Sequence, residues 1–87
     1  MSDLETRFKT ASDDVTRLPE APDSQTKLKL YGLFKQASQG DVTGDRPGIF
    51  DFVGGAKFDA WKALAGTSKD DASQKYIDLV ESLKAKS

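Results

Sequence analysis

Apolar residues recur at helical intervals over most of the chain. Leu4, Phe8, Ala11, Val15 and Leu18 are spaced so that they share one side of a helix. Ser2 and Glu5 stand at capping-box spacing at its start, and Pro19 and Pro22 stop it. A second helix begins near Asp23 or Ser24 and closes at Gly40. Its apolar residues, Leu28, Leu30, Tyr31, Leu33, Phe34 and Ala37, cover a broad arc, which predicts apolar contacts on two sides. Gly32 interrupts them at a cost of ~1 kcal/mol relative to alanine and leaves room for a close approach to the backbone. A third helix is expected from Gly54 to Leu64 or Ala65, with Ala56, Lys57, Ala60, Trp61 and Leu64 in one arc and Gly66 as its stop. A fourth opens on Ser68 as N-cap, with Asp71 three residues on. It carries Ala72, Tyr76, Leu79, Val80 and Leu83. No strand pattern or internal repeat appears, so the pattern predicts an all-α four-helix bundle.

Between the second and third helices, Gly40 to about Val53 lacks periodicity and contains the turn pair Pro47-Gly48. A helix of ~16 residues is ~24 Å long, whereas ~14 extended residues reach ~45 Å. The connection is therefore long enough to return along the second helix and start the third in the same direction.

Composition narrows the chemistry. The 87 residues fit one small domain. There is no cysteine and no histidine, which removes thiolate chemistry, the commonest general base and the commonest metal ligand. A net charge of -1 argues against nucleic acid as a partner. "MSDLETRFKT" lacks the apolar segment of a secretory signal, and no apolar run reaches the ~20 residues that span a bilayer. The expectation is a cytoplasmic protein, monomeric, with at most transient membrane contact and no cofactor or metal. "DVTGD", residues 41–45, lacks the spacing of a calcium loop, and "GGAK", residues 54–57, is not a Walker loop. Backbone N–H groups at the start of the third helix are still candidates for an anion.

The strongest candidate site joins several helices. Tyr31, Phe34 and Lys35 are three and four residues apart on the second. Lys57 starts the third, with Trp61 a turn on, and Tyr76 brings a hydroxyl that needs a partner to the fourth. Rings and lysines together suit a ligand with phosphates and a planar base. Spacing alone favours the plainer reading, in which the rings are core and Lys35 snorkels. Arg17 likewise reads as a solvated cation.

"LYGLFKQASQGD" resembles the signature of the acyl-CoA-binding protein family. "RPGIFDFVGGAKFDAWKALAGTSKDDA" resembles its continuation, and "YIDLVESL" its last helix. The resemblance covers nearly the whole chain and implies a single acyl-CoA-binding domain over residues 1–87. It implies an up-down-down-up four-helix bundle with a long overhand connection between helices two and three. It also implies non-covalent binding of medium- and long-chain acyl-CoA thioesters by an intracellular carrier rather than an enzyme. The alternative is a small helical protein- or peptide-interaction domain. By resemblance, Tyr31, Lys35, Lys57 and Tyr76 contact the CoA head. Phe34 stands where a tyrosine is usual and stacks on adenine, and Phe8, Ser12, Lys27 and Leu28 line or flank the acyl groove. Thr16 stands where many members carry a lysine, which Arg17 is placed to replace. Gly55 stands where a lysine is frequent, and Phe58 where a tryptophan is.

Overall fold

A computed structural model of the chain describes residues 3–86. It contains four helices: α1 (Asp3–Val15), α2 (Ser24–Gln39), α3 (Phe52–Lys62) and α4 (Lys69–Lys86). The capping role expected of Ser2 lies outside the described residues.

The helix ends differ from the pattern for local reasons. α1 stops at Val15 rather than running to Leu18. The N–H of Thr16 donates to the Asp13 carbonyl and that of Arg17 to the Asp14 carbonyl, so the last turn tightens. Leu18 precedes Pro19, which disfavours helical backbone. α2 begins after Asp23, whose carboxylate accepts the Thr26 N–H at 2.7 Å. α3 starts at Phe52, not Gly54, because Asp51 is its cap and accepts the Gly54 N–H at 2.9 Å. It ends at Lys62, where Leu64 and Ala65 turn back onto Trp61 and Lys62. At the start of α4, Ser68 Oγ accepts the Asp71 N–H at 3.0 Å, as its spacing predicts.

Contacts fix the helix directions. Along α2 and α3, Tyr31 faces Lys57 and Lys35 faces Trp61, so the two run parallel. Along α1 and α4, Arg7 meets Gln74 and Asp14 meets Lys84, so these are parallel as well. Along α2 and α4, Gln36 meets Thr67 and Phe34 meets Tyr76, so that pair is antiparallel. The result is the up-down-down-up bundle with an overhand connection. α4 packs on α1 and α2, whereas α3 packs on α2 alone among the helices. α2 thus has apolar neighbours on two sides, as its broad arc requires.

The core is Ala11 of α1, Leu30 and Leu33 of α2, and Tyr76, Ile77 and Val80 of α4. Leu4, Phe8, Val15, Leu64, Leu79 and Leu83 pack around it. Polar groups anchor the ends of the long connection. Gln36 is fully buried, and its Nε2 donates to Asp41 Oδ1 at 2.8 Å and to the Thr67 carbonyl at 2.7 Å. Asp41 Oδ1 also accepts the Gly66 N–H at 2.9 Å, and Trp61 Nε1 donates to the Gly40 carbonyl at 2.8 Å. The middle of the connection is held to α3 by Arg46, which pairs with Asp59 through two bonds of 3.0 and 3.1 Å. Its guanidinium lies against Gly55, where a β-carbon would come within 2.7 Å of Nη2.

Candidate functional site

Tyr31 is the hinge of the site. On one side it walls a groove between α2 and α3 of about 360 Å³, with Ser24, Lys27, Leu28, Phe52, Val53 and Ala56. On the other it walls a second depression of about 340 Å³, where Val15, Pro22, Leu30, Phe34 and Tyr76 meet. Lys27 lines both, and Lys57 closes the first. Both hollows are mainly apolar, with cations at their edges.

Two ammonium groups stand over the Tyr31 ring. Lys57 Nζ is 5.3 Å from its centroid and Lys35 Nζ 5.8 Å, and Lys35 also stands 5.6 Å from the Trp61 ring. Such distances give cation–π attraction. Among the described residues, no carboxylate pairs with Lys27, Lys35 or Lys57. The three cations therefore leave positive charge available around one aromatic wall.

Next to them is a cluster of three rings, one from each of α1, α2 and α4. Phe8 is 5.4 Å from Phe34 and 5.0 Å from Tyr76, and Phe34 is 6.0 Å from Tyr76. Tyr76 is 3% exposed while Phe34 is 40% exposed, so the cluster has a buried base and an open top. Burial raises the Tyr76 phenol above its ordinary value of 10.0, so it stays protonated at neutral pH. No described protein group bonds this hydroxyl, which leaves it a free donor at the edge of the second depression.

The structure thus brings together Phe8, Lys27, Leu28, Tyr31, Phe34, Lys35, Lys57 and Tyr76. It divides the face that spacing alone put together. Phe34 turns toward α1 and α4 and Lys35 toward α3, since consecutive helical residues diverge by ~100°. Tyr31 lies between them. Ser12 and Arg17 line neither hollow. Ser12 Oγ donates to the Lys9 carbonyl of its own helix, and Arg17 is exposed in the turn after α1. Two of the N–H groups suggested for an anion at the start of α3 are already engaged. Those of Gly54 and Gly55 donate to the side chain and carbonyl of Asp51. Four groove residues went unrecognised in the sequence: Ser24, Phe52, Val53 and Ala56. Ser24 stands at helical spacing from Lys27, Leu28 and Tyr31, and Phe52 and Val53 from Ala56 and Lys57. Starting α3 at Gly54 hid the second set.

Comparison with known proteins follows the same lines. The acyl CoA binding protein family model matches residues 5–80. The chain is 49% identical to an acyl-CoA-binding protein homolog of Manduca sexta, over 92% of this chain and 90% of that one. It is 48% identical to enoyl-CoA delta isomerase 2 of Rattus norvegicus over 92% of its own length, but it spans only 20% of that protein. The crystal structure of Oryza sativa acyl-CoA-binding protein 2 superposes with a TM-score of 0.91 at 42% identity. That match covers 95% of this chain and 92% of the other.

Proposed function

The chain belongs to the acyl-CoA-binding protein family, and from that premise we propose that it is a cytoplasmic, monomeric carrier of medium- and long-chain acyl-CoA. It binds the thioester non-covalently and buffers its pool. Residues 1–87 act as one acyl-CoA-binding domain. The observation that carries the assignment of the site is the set of unpaired lysines around Tyr31, beside two apolar hollows.

The ligand has two characters, and so does the site. Its head carries a 3′-phosphate, a pyrophosphate and adenine; its tail is a hydrocarbon. Lys35 and Lys57 hold phosphate oxygens, and the Tyr76 hydroxyl donates a further hydrogen bond. Adenine lies on the open top of the ring cluster, against Phe34. The tail follows the α2–α3 groove past Leu28, Phe52, Val53 and Ala56. Each methylene removed from water contributes ~0.8 kcal/mol, so a covered chain supplies much of the affinity. Phe8 supports the adenine surface from below, and Lys27 borders both hollows. Ser12 and Arg17 contribute at most through solvent.

Family membership is that of a binding protein, and we propose no catalytic step. The isomerase name belongs to longer proteins, about four-fifths of whose length has no counterpart in this chain. A protein- or peptide-interaction domain is not favoured by the apolar groove edged with unpaired cations. Native mass spectrometry with palmitoyl-CoA, free CoA and palmitate tests the carrier. Palmitoyl-CoA is expected to bind far more tightly than either half alone. Equal retention of all three, or of none, removes the carrier reading.

A further inference from the structure

The connection leading into α3 exposes an unusual run of apolar side chains. Ile49, Phe50, Phe52 and Val53 are 67–86% exposed, and all four lie within five consecutive residues. They are the most exposed large hydrophobics among the described residues; the fifth, Phe34, tops the ring cluster. Nothing in the packing of the bundle requires them to be apolar at these positions. Contiguous apolar surface of this kind marks a contact with another phase or molecule.

Two of the four have a second role. Phe52 and Val53 also form the wall of the α2–α3 groove. The exposed run is therefore continuous with the path assigned to the hydrocarbon tail. Beside it, Lys27 and Lys57 present unpaired ammonium groups. Of the nearby carboxylates, Asp51 caps α3 and Asp59 is paired with Arg46. The arrangement is an apolar tip with cations behind it, which matches an interface whose interior is hydrocarbon and whose surface carries phosphate.

We propose that Ile49, Phe50, Phe52 and Val53 form a docking tip for a phospholipid bilayer surface. Shallow insertion of the tip brings the mouth of the groove to the level of the acyl chains. An acyl-CoA lying in the bilayer then passes its tail from lipid to protein along Phe52 and Val53 without crossing water. The contact is reversible, because shallow insertion covers the four side chains only in part, and even a single lipid anchor binds marginally. A second copy of the chain is a poorer occupant. Stable protein interfaces engage ~20–30 residues on each side, far more than this tip offers. The use of the tip rests on the acyl-CoA reading, whereas its affinity for lipid is read independently of that ligand.

The test uses the full chain and vesicles of phosphatidylcholine, with and without phosphatidylserine, in flotation assays. The unmodified protein is expected to float with the vesicles, more so when phosphatidylserine is present. The variant Ile49→Ser/Phe50→Ser, outside the groove, is expected to partition roughly tenfold less or weaker still. Its helix content by circular dichroism and its palmitoyl-CoA affinity in vesicle-free buffer should be unchanged. Phe50→Ser alone should fall between the two. Absence of flotation by the unmodified protein overturns the proposal, as does equal flotation by the variants. So does a dimer in sedimentation that Ile49→Ser/Phe50→Ser dissociates, with no vesicle binding. Loss of palmitoyl-CoA affinity in that variant without vesicles assigns the tip to the ligand site instead. If the unmodified protein floats but binds no palmitoyl-CoA, the carrier reading fails and the lipid contact stands.

Discussion

Gly32 of α2 lies directly against the backbone of Ala60 in α3. A β-carbon at Gly32 would stand 2.7 Å from the Ala60 carbonyl oxygen and 2.9 Å from its carbon. The obstacle is backbone, which cannot rotate aside as a side chain would. Both walls of the α2–α3 groove depend on this approach. Gly32→Ala should therefore push α3 away despite alanine's better helix propensity. The expected loss is ~1–3 kcal/mol in urea unfolding, as for overpacking elsewhere, with a weaker palmitoyl-CoA affinity. Unchanged stability would show that α3 moves freely.

Lys35→Ala and Lys57→Ala separate binding from folding. Neither ammonium has a carboxylate partner, so each substitution gives up only its cation–π contacts, at about 0.5–1 kcal/mol of stability per ring. A charge-assisted contact with phosphate is worth ~1.5–3 kcal/mol, which corresponds to roughly a ten- to hundredfold loss of affinity. Calorimetry with palmitoyl-CoA reads the loss directly. Added salt should narrow the gap between variant and parent.

Tyr76→Phe removes one oxygen from a buried ring and nothing else. Because no described protein group bonds the hydroxyl, stability should hold or rise slightly. Affinity for palmitoyl-CoA should fall by roughly three- to tenfold, the worth of one hydrogen bond. A large drop in melting temperature with unchanged affinity would return Tyr76 to a purely structural role.

Gln36→Ala attacks the junction of α2, the long connection and the α3–α4 turn. It removes two donated bonds and leaves a void at a fully buried position. The expected cost is about 2–4 kcal/mol in denaturant unfolding. Gln36→Glu should be harmful as well, since it loses both donors when ionised.

Acid should loosen the fold at three carboxylates that accept hydrogen bonds in the folded chain. The Thr26 N–H holds Asp23 below its ordinary 3.8, the Gly66 N–H does so for Asp41, and the Arg46 guanidinium for Asp59. A lowered folded value means that the unfolded chain binds protons first. These contributions are complete above about pH 5, begin to fall as pH drops through the unfolded value, and vanish below the folded values. Melting temperature measured from pH 7 down to 3 should be flat in its upper part with respect to these groups and then decline. Asp41→Asn keeps an accepting oxygen but cannot titrate, so its decline should be shallower.

Much of this was legible in the residues. The four helices and their order followed from periodicity, the reach of residues 40–53 allowed a parallel start for the third, and the resemblance implied it. The spacing of Tyr31 and Lys35 singled out that helix face, but the resemblance, not spacing, turned Lys35 and Lys57 into candidate ligand contacts, and only the fold sets Lys57 over the Tyr31 ring. What stayed hidden depended on a neighbour distant in sequence. Nothing in the sequence pattern singles out Gln36, whose partners Thr67 and Asp41 only the fold brings to it. Phe52 and Val53 read as loop because Asp51, not the glycines, caps α3. Ser12 and Arg17 entered by resemblance alone, and neither reaches the hollows.

α3 rests on one neighbour, and this sets where the molecule opens. Helices α1, α2 and α4 share the main core, so exposing their amides to solvent requires nearly complete unfolding. α3 can separate by giving up its contacts with α2, the Trp61 and Arg46 tethers, and little else. Its amides should therefore exchange with deuterium at a lower free energy than those of α4. A tail in the groove contacts α2 and α3 together and supplies the second packing partner that α3 lacks. Bound acyl-CoA should slow exchange most in the helix with the least support of its own. With the tail in the proposed groove, the cargo would complete the packing of α3, and its release should begin with the opening of that helix.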